Sequence, residues 1–224
     1  MKKKEELSQE ILRINHILLK AQEAVEIVAY LLEPETDDYR AYQKRMNMFF
    51  DYSIANYWQI AVMELVKLFY FKPGKKEETD NREKFNIRHF IKKVRRDGYF
   101  GEFAVQDSTL DKWLVELDHN DDVIKNLMEQ RDKLYAHEDR NNQTVVNKTS
   151  LMEARNLLAI AIKLIKAINL ATYQQGISFD LINSPAHNLK FVIEMLADKE
   201  RAKMEAYRPI ARQYGLEDEL PKQS

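Results

Sequence analysis

Apolar residues recur at helical spacing along most of this chain. Leu7, Ile11, Ile14, Leu18, Ala21, Val25, Val28 and Leu32 alternate steps of four and three, a heptad seam that predicts one helix over 4–32. A long helix packed on its own neighbour accounts for the seam more simply than an intermolecular coiled coil. Pro34 ends it, because proline lacks the N–H that the ladder needs. A second helix is predicted over 38–71, rich in Met46, Phe49, Phe50, Tyr57, Trp58, Leu65, Leu68 and Phe69. Apolar side chains lie nearly all round it from Met46 onward, which places it at the centre of a bundle. Asp51, Asn56 and Gln59 would then be interior polar groups in need of partners.

The polar stretch 72–81, punctuated by Pro73 and Gly74, separates this from a third helix over 82–97, stopped at Gly98. Ser108 reads as the N-cap of a fourth helix. Its stripe of Leu110, Trp113, Leu114 and Leu117 breaks at "DHNDD", 118–122, and resumes with Ile124, Leu127 and Met128. Ser150 and Glu153 spell a capping box for a helix over 151–174, closed by Gly176. Ser184 and Pro185 suit the start of a sixth helix, with Leu189, Val192, Ile193 and Leu196 on its apolar face. Beyond Ala197 that face fades into charge, so the second half is expected to project, cover a partner subunit or fray. Residues after Pro209 are expected to be poorly ordered. The fold class is therefore all-α: an up-and-down bundle of five to six helices over 1–175, with a helical extension over 176–224 packed on the same domain.

Composition agrees with this picture. Only five Gly and five Pro occur in 224 residues, too few breakers for a sheet protein with many turns. The formal net charge of −1 gives no global attraction to nucleic acid or membrane, so an anionic partner must be held locally. The absence of cysteine removes disulfide and thiolate chemistry. "MKKKEELSQE" has no apolar run behind its basic residues and does not resemble a secretory signal. The most apolar run, 60–71, carries Glu64 and Lys67 and is too short for a bilayer. These features lead us to expect a soluble, cytoplasmic protein with no membrane partner.

Charge is concentrated in 81–98, where seven Lys or Arg (82, 84, 88, 92, 93, 95, 96) face Glu83 and Asp97. A solvated helix face is the ordinary explanation. The functional one is a phosphate-steering surface in which Lys92, Lys93, Arg95 and Arg96 hold RNA. Asp118, His119, Asp121 and Asp122 could suggest a metal site, but one His among acids in a polar break is more simply solvated, and no metal or other cofactor is expected.

The strongest chemical signal is "RDKLYAHED", 131–139. Arg131 lies seven after Ile124, four after Leu127 and three before Leu134, so an ideal helix puts this permanent cation on its apolar stripe. His137, six residues on, would lie about 120° round and roughly 9 Å along the axis. The two can converge if the helix ends near Ala136, if both flank one phosphate, or if a second copy of the chain brings a second pair. A buried ion pair at Arg131 and a surface histidine near a helix C-terminus would explain the same residues without chemistry. Metal-free RNA cleavage requires a base for the 2′-hydroxyl, an acid for the leaving 5′-oxygen and a cation for the charged phosphorane. Histidine supplies the first two near neutral pH, and arginine's planar fork suits two phosphate oxygens.

This segment resembles the R-x4-6-H motif of the HEPN superfamily, and more narrowly the form R-[DN]-K-x-x-A-H-x-D of AbiU2-like HEPN proteins, linked to abortive phage infection. Arg131, Asp132, Lys133, Ala136, His137 and Asp139 match that form. The resemblance extends in organisation over about 5–175. It implies a four- or five-helix core and a homodimer that brings two motifs together. It also implies a metal-independent endoribonuclease that leaves a 2′,3′-cyclic phosphate, acting in phage defence or as a toxin with an antitoxin or defence partner. By motif, Arg131 would stabilise the transition state, His137 would be base or acid, and Asp132 would orient one of them, with Lys133 and Asp139 in support. The alternative is a non-catalytic HEPN-like module that binds RNA or a protein partner.

Overall fold

The structure, a computed structural model, describes residues 2–34, 36–71, 85–103, 105–136, 149–179 and 185–215. Among them are eight α-helices and no strand: α1 (Lys2–Leu32), α2 (Asp37–Arg45), α3 (Asn47–Phe69), α4 (Ile87–Val94), α5 (Asp107–His119), α6 (Asp121–Gln130), α7 (Leu151–Tyr173) and α8 (Pro185–Gln213). A 3₁₀ turn (Gly101–Phe103) follows α4, and α6 runs on into a π-helical turn (Arg131–Ala136). The all-α helical bundle expected from the periodicity is the fold.

Two compact units divide these helices. One comprises Met1–Val25 and Tyr57–Leu181, the other Glu26–Asn56 and Ile182–Ser224. These borders cross α1 and α3 and do not fall at 175/176. The C-terminal helix α8 packs with α2, which gathers the chain after 182 with 26–56.

The first unit holds the core that supports the site. Leu7, Ile11, Ile14 and Leu18 of α1, Leu65, Leu68 and Phe69 of α3, Phe90 and Ile91 of α4, Leu110 and Leu117 of α5, and Leu157, Leu164 and Ile168 of α7 are all at most 2% exposed. Each such side chain contributes about 1.5–3 kcal/mol by leaving water. The α1 seam is thus buried within the chain as far as Val28, whereas Leu32 is exposed. Polar ties fix the first turns of α1: the Tyr173 hydroxyl donates to the Lys4 carbonyl at 2.7 Å, and Lys93 Nζ donates to both oxygens of Glu10 at 2.7 and 3.0 Å. The capping box opens α7 as predicted, with the Glu153 N–H donating to Ser150 Oγ and the Ser150 N–H to Glu153. By length and composition α7 could cross a membrane, but nine of its residues are buried in this unit.

Several boundaries differ from the sequence expectation for local reasons. The predicted helix over 38–71 is two helices, because Met46 leaves helical geometry (φ −105°, ψ 28°) and Asn47 Oδ1 accepts the Met48 N–H at 2.7 Å, restarting the chain. Only its second part is central. Trp58, Ala61, Val62, Leu65, Leu68 and Phe69 are buried, whereas Met46, Met48, Phe49 and Tyr52 are exposed. Asn56 is no interior polar group; it donates to the Tyr52 carbonyl of its own helix at 2.9 Å, and Asp51 is exposed. Helix α4 starts at Ile87 and not at 82, because Asn86 is its N-cap; residues 82–84 lie outside the described residues. Asp107 begins α5, so Ser108 sits inside its first turn. Gln174, in the left-handed conformation (φ 55°), closes α7 in place of Gly176. Helix α8 continues through Pro209 to Gln213, so its charged second half does not fray; Ser184 and the chain after 215 lie outside the described residues.

Candidate functional site

The motif begins where α6 ends. Ile124, Leu127 and Met128 bury the apolar face of α6 and Gln130 is 1% exposed, so the helix is held in the core up to its last residue. From Arg131 the backbone widens to the i→i+5 pattern, a form that recurs at functional sites. The 120° offset expected between residues six apart on an α-helix therefore does not apply beyond Arg131. His137 and Asp139 lie outside the described residues.

Arg131 is held on two sides. Its Nε donates to Asp132 Oδ1 at 2.7 Å, its Nη2 lies 2.5 Å from the same oxygen in an ion pair, and its guanidinium carbon stands 4.9 Å from the centre of the Tyr70 ring. The side chain is 26% exposed, so Arg131 is not the deeply buried core ion that an ideal α-helix would make of it. The arrangement leaves the other edge of the fork, formed by Nη1 and one proton of Nη2, without a hydrogen bond to any described residue. That edge fits two oxygens of a phosphate. Lys133 pairs with Glu129 one turn back, and its side chain is 42% exposed.

Tyr70 is positioned from α4. The amide of Asn86 donates to the Tyr70 carbonyl, while its Oδ1 accepts the N–H groups of Arg88 and His89 at 2.9 and 3.2 Å. One buried side chain thus caps α4 and pins the residue that follows α3. Arg88 completes the support: 7% exposed, it donates from Nη1 to Asp118 at 2.7 Å and from Nη2 to Asp121 at 2.9 Å. The acids of "DHNDD" are not simply solvated; two of them clamp an arginine at the corner between α5 and α6. Nothing in the sequence joined Tyr70 to the motif or Asn86 to Tyr70, because contacts across 61 and 16 positions leave no local periodicity. Arg88 was visible only as one charge in a basic run.

The basic helix is less available than its composition suggests. Lys93 is paired with Glu10 and Arg95 with Asp111. Arg88 faces inward, Lys92 is half-buried, and Arg96 is exposed, its backbone N–H donating to Asp107 at 3.2 Å. Beside α4 lies a groove of about 740 Å³ lined by the start of α1, Phe85, His89, Lys93, Tyr99 and Phe100. Glu5, Glu6 and Glu10 line it as well as Arg13 and Lys93, so it offers no net positive field, and Arg131 is not part of it. His89 on its wall is held below the usual histidine range, first by burial and then by Lys93 and Lys92.

An all-α bundle in which an R-x5-H sequence opens on a wide helical turn defines a HEPN-type helical protein. The narrower assignment follows from comparison: the chain matches the model of the HEPN_AbiU2 family, AbiU2, over residues 3–190, and it belongs to that family. The match ends in the first turns of α8, so it takes in 176–190, which the resemblance read from the sequence left unexplained. Neither the curated proteins nor the solved structures compared contain a match.

Proposed function

We propose that this protein is a metal-independent endoribonuclease that acts as a homodimer, in phage defence or as a toxin. The observation that carries this reading is the state of Arg131: its fork is fixed by Asp132 and Tyr70 while the edge suited to a phosphate stays free of described partners. A cation placed in advance stabilises developing charge without reorganising during the reaction.

In the proposed reaction a base removes the proton of the 2′-hydroxyl, and the 2′-oxygen forms a bond to the adjacent phosphorus. The bond from phosphorus to the 5′-oxygen breaks, and an acid protonates that oxygen. The products are a 2′,3′-cyclic phosphate and a free 5′-hydroxyl. His137 serves as base or acid, and the partner subunit's His137 serves as the other. Arg131 holds the non-bridging oxygens, Asp132 orients Arg131, and Lys133 and Asp139 support the site. Arg96, exposed beyond the end of α4, offers a further contact for RNA phosphate.

Wild-type and His137→Ala proteins are incubated with total RNA in excess EDTA and the products resolved on a denaturing gel. Cleavage by wild type and none by the variant is the expected result. Equal cleavage by both removes His137 from the reaction, and salt-sensitive RNA binding without product would return the protein to the non-catalytic reading.

A further inference from the structure

Tyr70 is 61 positions from Arg131, yet its ring lies 4.9 Å from the guanidinium carbon, inside the range of a cation–π contact. Asp132 restrains the same guanidinium in its own plane. A hydrogen-bonded edge alone leaves a long side chain free to swing about that edge. A ring packed against the guanidinium opposes this swing. The backbone that carries the ring is held in place, because the buried Asn86 amide ties the Tyr70 carbonyl to the start of α4. The residue after α3 thus meets the residue after α6, and the start of α4 braces the first of them.

We propose that Tyr70 is a positioning residue for Arg131, holding the edge of its fork that no described residue bonds in the plane in which it meets the scissile phosphate. The catalytic part of this statement rests on the nuclease reading above; the placement of Arg131 does not. The aromatic face does this, and the hydroxyl is dispensable.

The test uses the full chain as wild type, Tyr70→Phe and Tyr70→Leu. The first readout needs no RNA: the Arg131 Nε–H resonance in a ¹H–¹⁵N spectrum, assigned by its loss in Arg131→Lys. It should be ring-current shifted in wild type and Tyr70→Phe, and in Tyr70→Leu it should lose that shift and exchange faster, Asp132 alone then holding the Nε–H. The second is RNA cleavage. Tyr70→Leu should lose about tenfold in kcat, in line with a partly desolvated cation–π contact, with KM little changed, and Tyr70→Phe should retain wild-type turnover.

An Nε–H resonance that does not move in Tyr70→Leu overturns the proposal, as does equal cleavage by the Leu and Phe variants. If wild type cleaves nothing, the nuclease reading fails, and the resonance still decides whether Tyr70 holds Arg131. Should Tyr70→Leu not fold, Asn86→Ser keeps a capping oxygen and removes the amide donor to Tyr70, and the same resonance should shift in the same direction.

Discussion

Arg131 and His89 show how differently two cationic side chains of one unit are treated. Arg131 carries a permanent charge, so the fold supplies Asp132 as its ion-pair partner and the Tyr70 ring as a cation–π partner. His89 can lose its charge, and burial beside Lys93 and Lys92 favours the neutral form. An unfolded histidine takes up its proton near pH 6.5, and folded His89 resists until the pH is lower. Within that window the unfolded state binds more protons, so stability falls as pH falls. Thermal unfolding followed from about pH 7.5 down to about pH 5.5 should show a decreasing Tm, and His89→Gln should flatten the profile. At this scale the sequence displayed Arg131 clearly, since a guanidinium on an apolar stripe conflicts with its neighbours. Tyr70 was invisible: one aromatic at the end of an apolar run looks like any other core residue.

At the scale of elements, legibility followed the range of the interaction responsible. The Ser150–Glu153 cap and the break at Asn120 depend on residues within four positions and were read correctly. The start of α4 depends on Asn86, whose amide serves a helix end 16 residues earlier, and the run of basic residues before it gave no sign of that cap. The break at Met46 was missed because the apolar pattern continues across it, the pattern recording burial and not backbone geometry. Ser150→Ala removes the acceptor for the Glu153 N–H and should cost about 1 kcal/mol of unfolding free energy in urea denaturation, while leaving the slope of that transition unchanged. An unaffected midpoint would mean that water replaces the cap at no cost.

At the scale of the molecule, helical class and family were both recoverable from the chain, because a heptad seam and a nine-residue motif are dense signals. How the chain gathers into two compact units was not, because α2 and α8 meet across at least 140 positions. On the proposed mechanism base and acid come from different subunits, so cleavage per molecule should fall on dilution through the dimer dissociation constant. Parallel measurement of sedimentation and initial rate over the same concentrations tests this; a specific rate that stays constant while the dimer dissociates would place both proton carriers in one subunit.

The widened turn after α6 has a further consequence for how such a motif tolerates change. A helix that switches between i→i+4 and i→i+5 bonding takes up or releases one residue of chain over a single turn. The segment from Arg131 to Ala136 can therefore act as slack. An insertion or deletion there need not be transmitted as a rotation of about 100° to everything downstream, as it would be in a regular α-helix. A spacer of four to six residues between arginine and histidine is then no looseness of design. Anchored at one end by an arginine paired with Asp132 and Tyr70, it is the length variation that a helix of adjustable pitch absorbs.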